Sequence, residues 1–322
     1  MQNLDKPKIA LITGITGQDG AYLSEFLLNK NYKVIGFVRD NDDYSKLEYL
    51  KIKNKITFEN CNLLDLLEVI NIIKKYEPDE IYNFAAQSSV SLSLKEPETT
   101  LKFNINSVIN ILESIRLFCK KTKFFQASSC EMFGAADNLP VTENTQFKPL
   151  NSYSISKIAA HLITLNYRNI YKIFACSGIL FNHESYLRGE DFFIKKIIKQ
   201  ALEIKNNKRE NLIVGNLNIK RDLGYAPDYV QAMYLMLQSE RADDFIISSG
   251  KSVSLQEIIF YVFDKLDLKK EKIIIDKNLY RICDIEHTLG DNSKIKKTLD
   301  WNYDKDFYEV LDLLIEEEFN NF

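Results

Sequence analysis

The chain has 322 residues, 45% of them hydrophobic and 27% charged, with a formal net charge of −3. That length exceeds one small core and suits two lobes sharing an interface, and the interspersed Lys, Asp and Glu form neither a basic nucleic-acid groove nor a polybasic membrane patch. Cys61, Cys119, Cys130, Cys176 and Cys283 and three histidines lie scattered without metal-ligand spacing, which argues for reduced thiols, no metal site and a cytoplasmic protein whose partners are small molecules.

The opening run, "MQNLDKPKIALITGITGQDG", is too short and too broken to be a signal peptide or a membrane span. "IALIT" predicts a strand, and a helical pattern begins near Ala21. Gly14, Gly17 and Gly20 fall between them. Glycine there permits a tight turn, close approach of the backbone to a pyrophosphate and close helix packing, with the phosphate at the helix N-terminus. Gln18 and Asp19, in the same loop, are assigned to the cofactor with them.

"KVIGFV", "ITFENC", "EIYNFA", "KFFQAS" and "KIFACSGIL" continue the alternation of apolar, β-rich runs with turns and helical stretches. This is the pattern of an α/β doubly wound parallel sheet covered on both faces. After about Phe181 it changes to helices with short isolated strands, "NLIVG", "DFIIS" and "KIIID". The expected organisation is a Rossmann domain over residues 1–181 and a smaller C-terminal substrate-binding domain over residues 182–322, with later segments free to join the first sheet.

Two stretches carry chemistry. "NSYSISKIAAH" places Tyr153 and Lys157 four apart, on one face of an amphipathic helix. The ammonium is expected to lie near the phenol and favour its ionised form. A group that ordinarily titrates near pH ~10 then becomes usable as a base. "FFQASSCEMFG" ends the fifth strand in Ser129, Cys130 and Glu131. Ligands bind beyond the carboxyl ends of strands in such folds, so Ser129 and Glu131 are expected to face substrate. Plain oxidation or reduction needs only the hydroxyl and the Tyr/Lys pair. An added carboxylate permits removal of a proton beside a new ketone and loss of a neighbouring hydroxyl.

The GxxGxxG spacing resembles that of extended short-chain dehydrogenase/reductases. Many NAD-preferring members carry an acidic residue after the second strand, where this chain has Arg39, suited to a 2′-phosphate or to stacking on adenine, followed by Asp40. The resemblance places Asn62 and Leu63 at the adenine and Ala85 and Ala86 beside the cofactor, and NADP is favoured, with NAD possible.

"QASSCEMFG", "SYSISK" and "GILFNHES" together resemble GDP-mannose 4,6-dehydratases, over a span from Lys8 to about Trp301. The resemblance implies that Ser129 holds the family's threonine position, Glu131 its glutamate, Tyr153 its base and Lys157 its lysine. Cys130 stands where the family has serine; a thiol is a poor proton donor, so Glu131 is expected to serve as both base and acid. The substrate side would comprise Ser88, Asn182, His183, Glu184, Arg188, Val214, Asn216, Arg221, Arg281 and Asp284, with Asp222 and Asp228 in support. The planar guanidinium suits phosphate.

Where the family reads "AQSHV", "PRSPYAVAK" and "ESPRRGE", this chain has Ser89, Leu150 and Leu187 in place of a His and two Arg. The expectation is added space around the hexose, with GDP-N-acetylglucosamine slightly favoured over GDP-mannose. A shortened, acidic segment at 40–54 leaves homodimer and homotetramer both open. The chain is thus read as a GDP-sugar 4,6-dehydratase giving a GDP-4-keto-6-deoxy sugar. A nucleotide-sugar epimerase or 4-dehydrogenase would leave Glu131 idle, and a non-catalytic dinucleotide sensor would commonly lack the Tyr/Lys pair.

Overall fold

A strand sends alternate side chains to opposite faces, so one covered on both faces must be apolar throughout. The first strand, β1 (Ile9–Thr13), behaves this way: Leu11 shares a core with Ile73, Ile111 and Phe124, and Ile12 shares another with Leu23, Met233 and Met236. Five more strands of the main sheet follow as β2 (Lys33–Val38), β3 (Thr57–Asn60), β4 (Glu80–Asn83), β5 (Lys123–Ser129) and β6 (Ala175–Leu180), of which β3, at the edge, is the least buried. The later strands are β7 (Asn182–Glu184), β8 (Leu212–Val214), β9 (Lys220–Tyr225), β10 (Asp244–Ile247), β11 (Ser252–Ser254) and β12 (Ile273–Ile275). The helices in chain order are α1 (Gln18–Asn29), α2 (Ser45–Tyr49), α3 (Leu66–Tyr76), α4 (Val90–Lys95), α5 (Pro97–Phe118), α6 (Ser152–Tyr171), α7 (Phe193–Lys205), α8 (Ala226–Gln238), α9 (Leu255–Lys265), α10 (Ser293–Leu299) and α11 (Phe307–Asn320).

The computed structural model describes residues 6–280 and 284–321. Its main sheet is all parallel, with strand order β10-β6-β5-β4-β1-β2-β3. Helices α3, α5 and α6 cover one face and α1 and α8 the other. The α/β doubly wound Rossmann sheet expected from the alternation is therefore present. "DFIIS" joins it as the edge strand β10 rather than standing apart. Its apolar residues are buried, and Asp244 takes two hydrogen bonds from Arg168, at 2.8 and 2.7 Å, and one from Ser177 N at 3.0 Å. The first helix starts at Gln18, three residues before the expected Ala21, because Gly17 in extended conformation already serves as its N-cap.

Two small sheets, β11-β9-β7 and β12-β8, pack with α7, α9 and α11 around a separate core that includes Ile198, Leu202, Phe263 and Leu311. Asp222 on β9 is the junction between this region and the loop that follows β10. Its carboxylate is fully buried and accepts bonds from Ser249 N (2.8 Å), Ser249 Oγ (2.7 Å), Gly250 N (3.1 Å) and Gly290 N (3.2 Å). Burial pushes its pKa up to about 6, and these donors hold it from rising further.

Among the described residues no helix is long and apolar enough to cross a membrane, and no group of three or more His, Cys, Asp or Glu could hold a metal ion. Cys61, Cys119, Cys130 and Cys176 are free and buried.

The Asp222 junction makes a stability prediction. Asp222→Asn sets an amide NH2 against backbone N–H donors and should cost about 1–3 kcal/mol. The loss should appear as a lower urea midpoint at unchanged slope. A midpoint equal to wild type would show that other contacts hold these loops.

Candidate active site

The order of the main sheet reverses between β1 and β4, so the loops leaving their carboxyl ends diverge and open a crevice. Gly14 lies in this crevice at φ +66°, and a Cβ there would come within 2.8 Å of Ala85 N. A Cβ on Gly20 would lie 2.4 Å from Gly14 O. Gly17 N bonds Gly14 O at 2.9 Å, and α1 begins with no side-chain cap, so its first amides face the crevice. A cradle with these side chains removed and a helix N-terminus behind it fits a pyrophosphate, and hence a dinucleotide. The nicotinamide end would fall beside Ala85, Ala86, Tyr153 and Lys157.

The catalytic, cofactor and substrate residues singled out in the sequence border one cavity of about 1150 Å³, except Arg281, which lies outside the described residues; the supporting Asp222 and Asp228 do not line it. Where the cavity passes the ends of β2 and β3, Asn62 N donates to Glu68 at 2.7 Å, and the buried Leu63 has its carbonyl fixed by Asn110 at 2.8 Å. The Arg39 guanidinium is bound to Asp42, and Asp40 accepts from Asn60.

At the centre stand Ser129, Glu131, Tyr153 and Lys157. Helix α6 starts in a capping box. Asn151 Oδ1 accepts from Ser154 N at 2.8 Å, and Ser154 Oγ from Asn151 N at 3.2 Å. This sets the first turn, which carries Tyr153. Lys157 donates to Ala127 O at 2.8 Å, with its nitrogen 5.7 Å from the centre of the Tyr153 ring. Ser129 caps the short turn that presents Glu131, accepting from Glu131 N at 3.2 Å.

Burial pushes the Lys157 ammonium down to about 8. It pushes the Tyr153 phenol well above its ordinary range, with Ser129 and Arg188 opposing and Glu131 and Cys130 adding to the rise. Removal of a phenolate from water outweighs the lowering by Ser129 and Arg188. Burial, with Glu131 beside it, also raises the Cys130 thiol.

His183, Gln18 and Asp19 form a clamp between α1 and β7. His183 faces Phe181 O at 2.7 Å through Nδ1 and Asp19 at 2.9 Å through Nε2. Phe181 O only accepts, and with Asp19 ionised both ring nitrogens donate, the charge pairing that the raised His183 and lowered Asp19 favour. Burial, the largest influence, disfavours each charge, but the mutual attraction raises His183 and lowers Asp19. Gln18 donates to His183 O at 3.2 Å and accepts from Ser185 Oγ at 2.7 Å. Both His183 nitrogens are thus occupied within the protein.

Beyond the clamp, Glu184 is buried with a raised pKa, and its carboxylate lies 3.5 Å from Arg188 Nε without hydrogen-bond alignment. Arg188 stacks on Phe192 at 3.7 Å. Arg221 donates to Ile285 O at 2.6 Å and to Asp284 at 3.2 Å, while Asn216 turns its side-chain oxygen to Asn218 N at 3.0 Å. Asp228, by contrast, pairs with Lys305 at 2.9 Å. Ser88, Ser89, Asn182, Leu187 and Val214 line the cavity. Leu150 does not. It is 37% exposed and packs near Gly134, so it leaves no space at the hexose.

Sequence reasoning passed over a buried polar chain behind the site. Thr13 Oγ1 donates to Asn83 at 2.6 Å, Asn83 to Gln126 at 2.8 Å, and Gln126 to Ala127 O at 3.0 Å, the carbonyl that also holds Lys157. Its signal was Thr13, Asn83 and Gln126 standing within the buried strands β1, β4 and β5.

A cavity running from a glycine cradle past a Tyr-x-x-x-Lys helix into a second lobe is the layout of a dinucleotide-dependent enzyme of the short-chain dehydrogenase/reductase class. A family model described as GDP-mannose 4,6 dehydratase matches residues 11–314. GDP-mannose 4,6 dehydratase 2 of Arabidopsis thaliana is 39% identical, covering 97% of this chain and 87% of that protein. The GDP-mannose 4,6 dehydratase of Dictyostelium discoideum is 37% identical, covering 98% and 96%. The solved dTDP-glucose 4,6-dehydratase of Streptomyces venezuelae, with NAD bound, superposes at a TM-score of 0.87 and 19% identity over 97% of each chain, a likeness of fold. The chain belongs to the GDP-mannose 4,6-dehydratase family and is an NAD(P)-dependent 4,6-dehydratase.

The clamp predicts a pH dependence. His183 is raised above its ordinary 6.5, so its stabilisation is complete below that value and is lost as pH rises through the folded value. Asp19 is lowered from 3.8, so its share is present above that value and lost only as pH falls through the folded value. The melting-temperature advantage of ligand-free wild type over His183→Gln should therefore be full below about pH 6.5 and shrink as pH rises above it. A constant difference through that rise would rule out the charged pair.

Proposed function

We propose that this enzyme is a GDP-sugar 4,6-dehydratase that uses NADP, with NAD as an alternative, and releases a GDP-4-keto-6-deoxy sugar. Residues 1–181 would chiefly hold the dinucleotide and residues 182–322 the nucleotide sugar, in a homodimer or homotetramer. The observation that carries the reading is Glu131 presented beside Ser129 and Tyr153 at the end of β5, in the cavity that also contains the glycine cradle and Arg221.

A bound dinucleotide would supply a hydride acceptor for oxidation at C4 and the hydride donor for reduction at C6. Tyr153 takes the C4 hydroxyl proton, with Ser129 bonded to its phenol and Lys157 beside its ring. Glu131 removes the C5 proton and delivers a proton to the departing C6 hydroxyl. Cys130 does not share that task, since burial makes its thiol a still weaker acid. The balance is loss of one water with no net oxidation. An epimerase would need no group in the place of Glu131.

Arg221, already oriented by Ile285 O and Asp284, and Arg188 supply positive charge for the diphosphate. For the hexose we favour mannose, the sugar in the names of the relatives quoted above. The preference for GDP-N-acetylglucosamine loses Leu150 as a support. It keeps Ser89, which caps α4, and Leu187, both on the cavity wall.

Two measurements test this reading. Glu131→Gln should cut release of the dehydrated product, followed by mass spectrometry, by about 10²–10⁴ while leaving GDP affinity unchanged. Unchanged turnover would remove Glu131 from the chemistry. Calorimetry should also find GDP bound more tightly than UDP, and equal or weaker GDP binding would remove the guanosine assignment.

A further inference from the structure

The adenosine ribose in this fold lies beyond the end of β2, where an acidic residue receives the 2′-hydroxyl or an arginine receives the 2′-phosphate. Here the cavity wall carries both signs: Arg39 and Lys46 against Asp40 and Asp42. A site built only for a phosphate dianion would be positive on balance. This one is neutral.

Arg39 is also occupied. Its Nε and Nη2 donate to Asp42 Oδ1 at 3.0 and 2.8 Å, and its backbone N–H donates to Asp42 Oδ2 at 3.1 Å. The Asp42 N–H closes the turn on Arg39 O at 3.2 Å. The carboxylate is the fixed member of the pair. Its side chain is 11% exposed, against 80% for Arg39. If the guanidinium swings to a phosphate, Asp42 stays behind on the backbone, close to the incoming charge.

We infer that Asp42 sets how far this enzyme discriminates NADP from NAD, by competing with the 2′-phosphate for Arg39. The inference rests on the dinucleotide reading above. NADP must exchange one carboxylate partner of Arg39 for its phosphate, so the gain is the difference between two charge-assisted contacts rather than the whole of one. NAD brings no such charge, so it requires no exchange at Arg39.

The test is calorimetric binding of NADP+ and NAD+ to wild type, Asp42→Asn, Arg39→Ala and the double variant, without sugar substrate. Adenosine 2′,5′-bisphosphate against 5′-AMP isolates the phosphate end. Asp42→Asn should tighten NADP+ and the bisphosphate by about two- to fivefold, the scale of an exposed ion pair, and leave NAD+ and 5′-AMP unchanged. Unchanged NAD+ binding also reports an intact fold. The gain should vanish in the Arg39→Ala background. If it persists there, repulsion by Asp42 acts alone and competition for Arg39 is overturned. An unchanged NADP+ affinity in Asp42→Asn overturns the inference while leaving the cofactor reading intact. Wild type that binds neither dinucleotide overturns that reading and the inference with it.

Discussion

The buried pair of His183 and Asp19 joins the two halves of the cavity. Asp19 is in the first turn of α1, the helix behind the glycine cradle, and His183 is on β7, the strand that opens the second sheet. Taking two charges out of water is expensive, and a buried pair is sustained only when its remaining donors and acceptors are satisfied. Here Phe181 O completes the imidazolium, Gln18 donates a second bond to Asp19, and Ser185 fixes Gln18 from the β7 side. The His183 ring also lies 4.9 Å from that of Tyr229 on α8. The cavity wall is thereby held from both sides of the crevice.

Burial governs the chemistry of the centre as well. The same removal from water lowers Lys157 to about 8 and raises Tyr153, Cys130 and Glu184, yet each group has different neighbours to oppose or reinforce the shift. Glu131 stands apart as a less buried carboxylate on a turn. Titratable groups placed in unlike surroundings take different roles in acid–base catalysis. Behind them the chain of Thr13, Asn83 and Gln126 ends on the carbonyl that anchors Lys157, so the ammonium is positioned by the sheet itself and not by its helix alone.

The two ends of the cavity differ in charge. At the second lobe Arg221 is held by a carbonyl and a carboxylate, and Arg188 lies against Phe192, so both guanidinium groups have lost much of their freedom before any ligand arrives. Beyond β2 Arg39 is exposed and its partner Asp42 fixed. One end thus carries two restrained arginines, and the other an exposed arginine beside a fixed carboxylate. That contrast agrees with a family whose substrate carries a diphosphate in every member named here.

Much of this was legible in the chain, for reasons that are local. The apolar alternation of "IALIT", "KVIGFV" and "KFFQAS" reports burial on both faces of a strand, Gly14 and Gly20 mark places where a Cβ would strike backbone, and the four-residue spacing of Tyr153 and Lys157 puts them on one helix face. Each depends only on strand period, helix period or the missing side chain of glycine. What the tertiary structure decided depends on which residues meet from far apart. His183 and Asp19 are 164 positions apart, and nothing in either segment names the other as partner. Leu150 sits close to Tyr153 in the chain, yet it turns to the surface near Gly134 and not into the cavity. "DFIIS" has the same apolar content as the short strands around it, and the exposed edge of β6, with Arg168 waiting for Asp244, assigned it to the main sheet. Pattern determines how a segment is covered, but only packing determines by what.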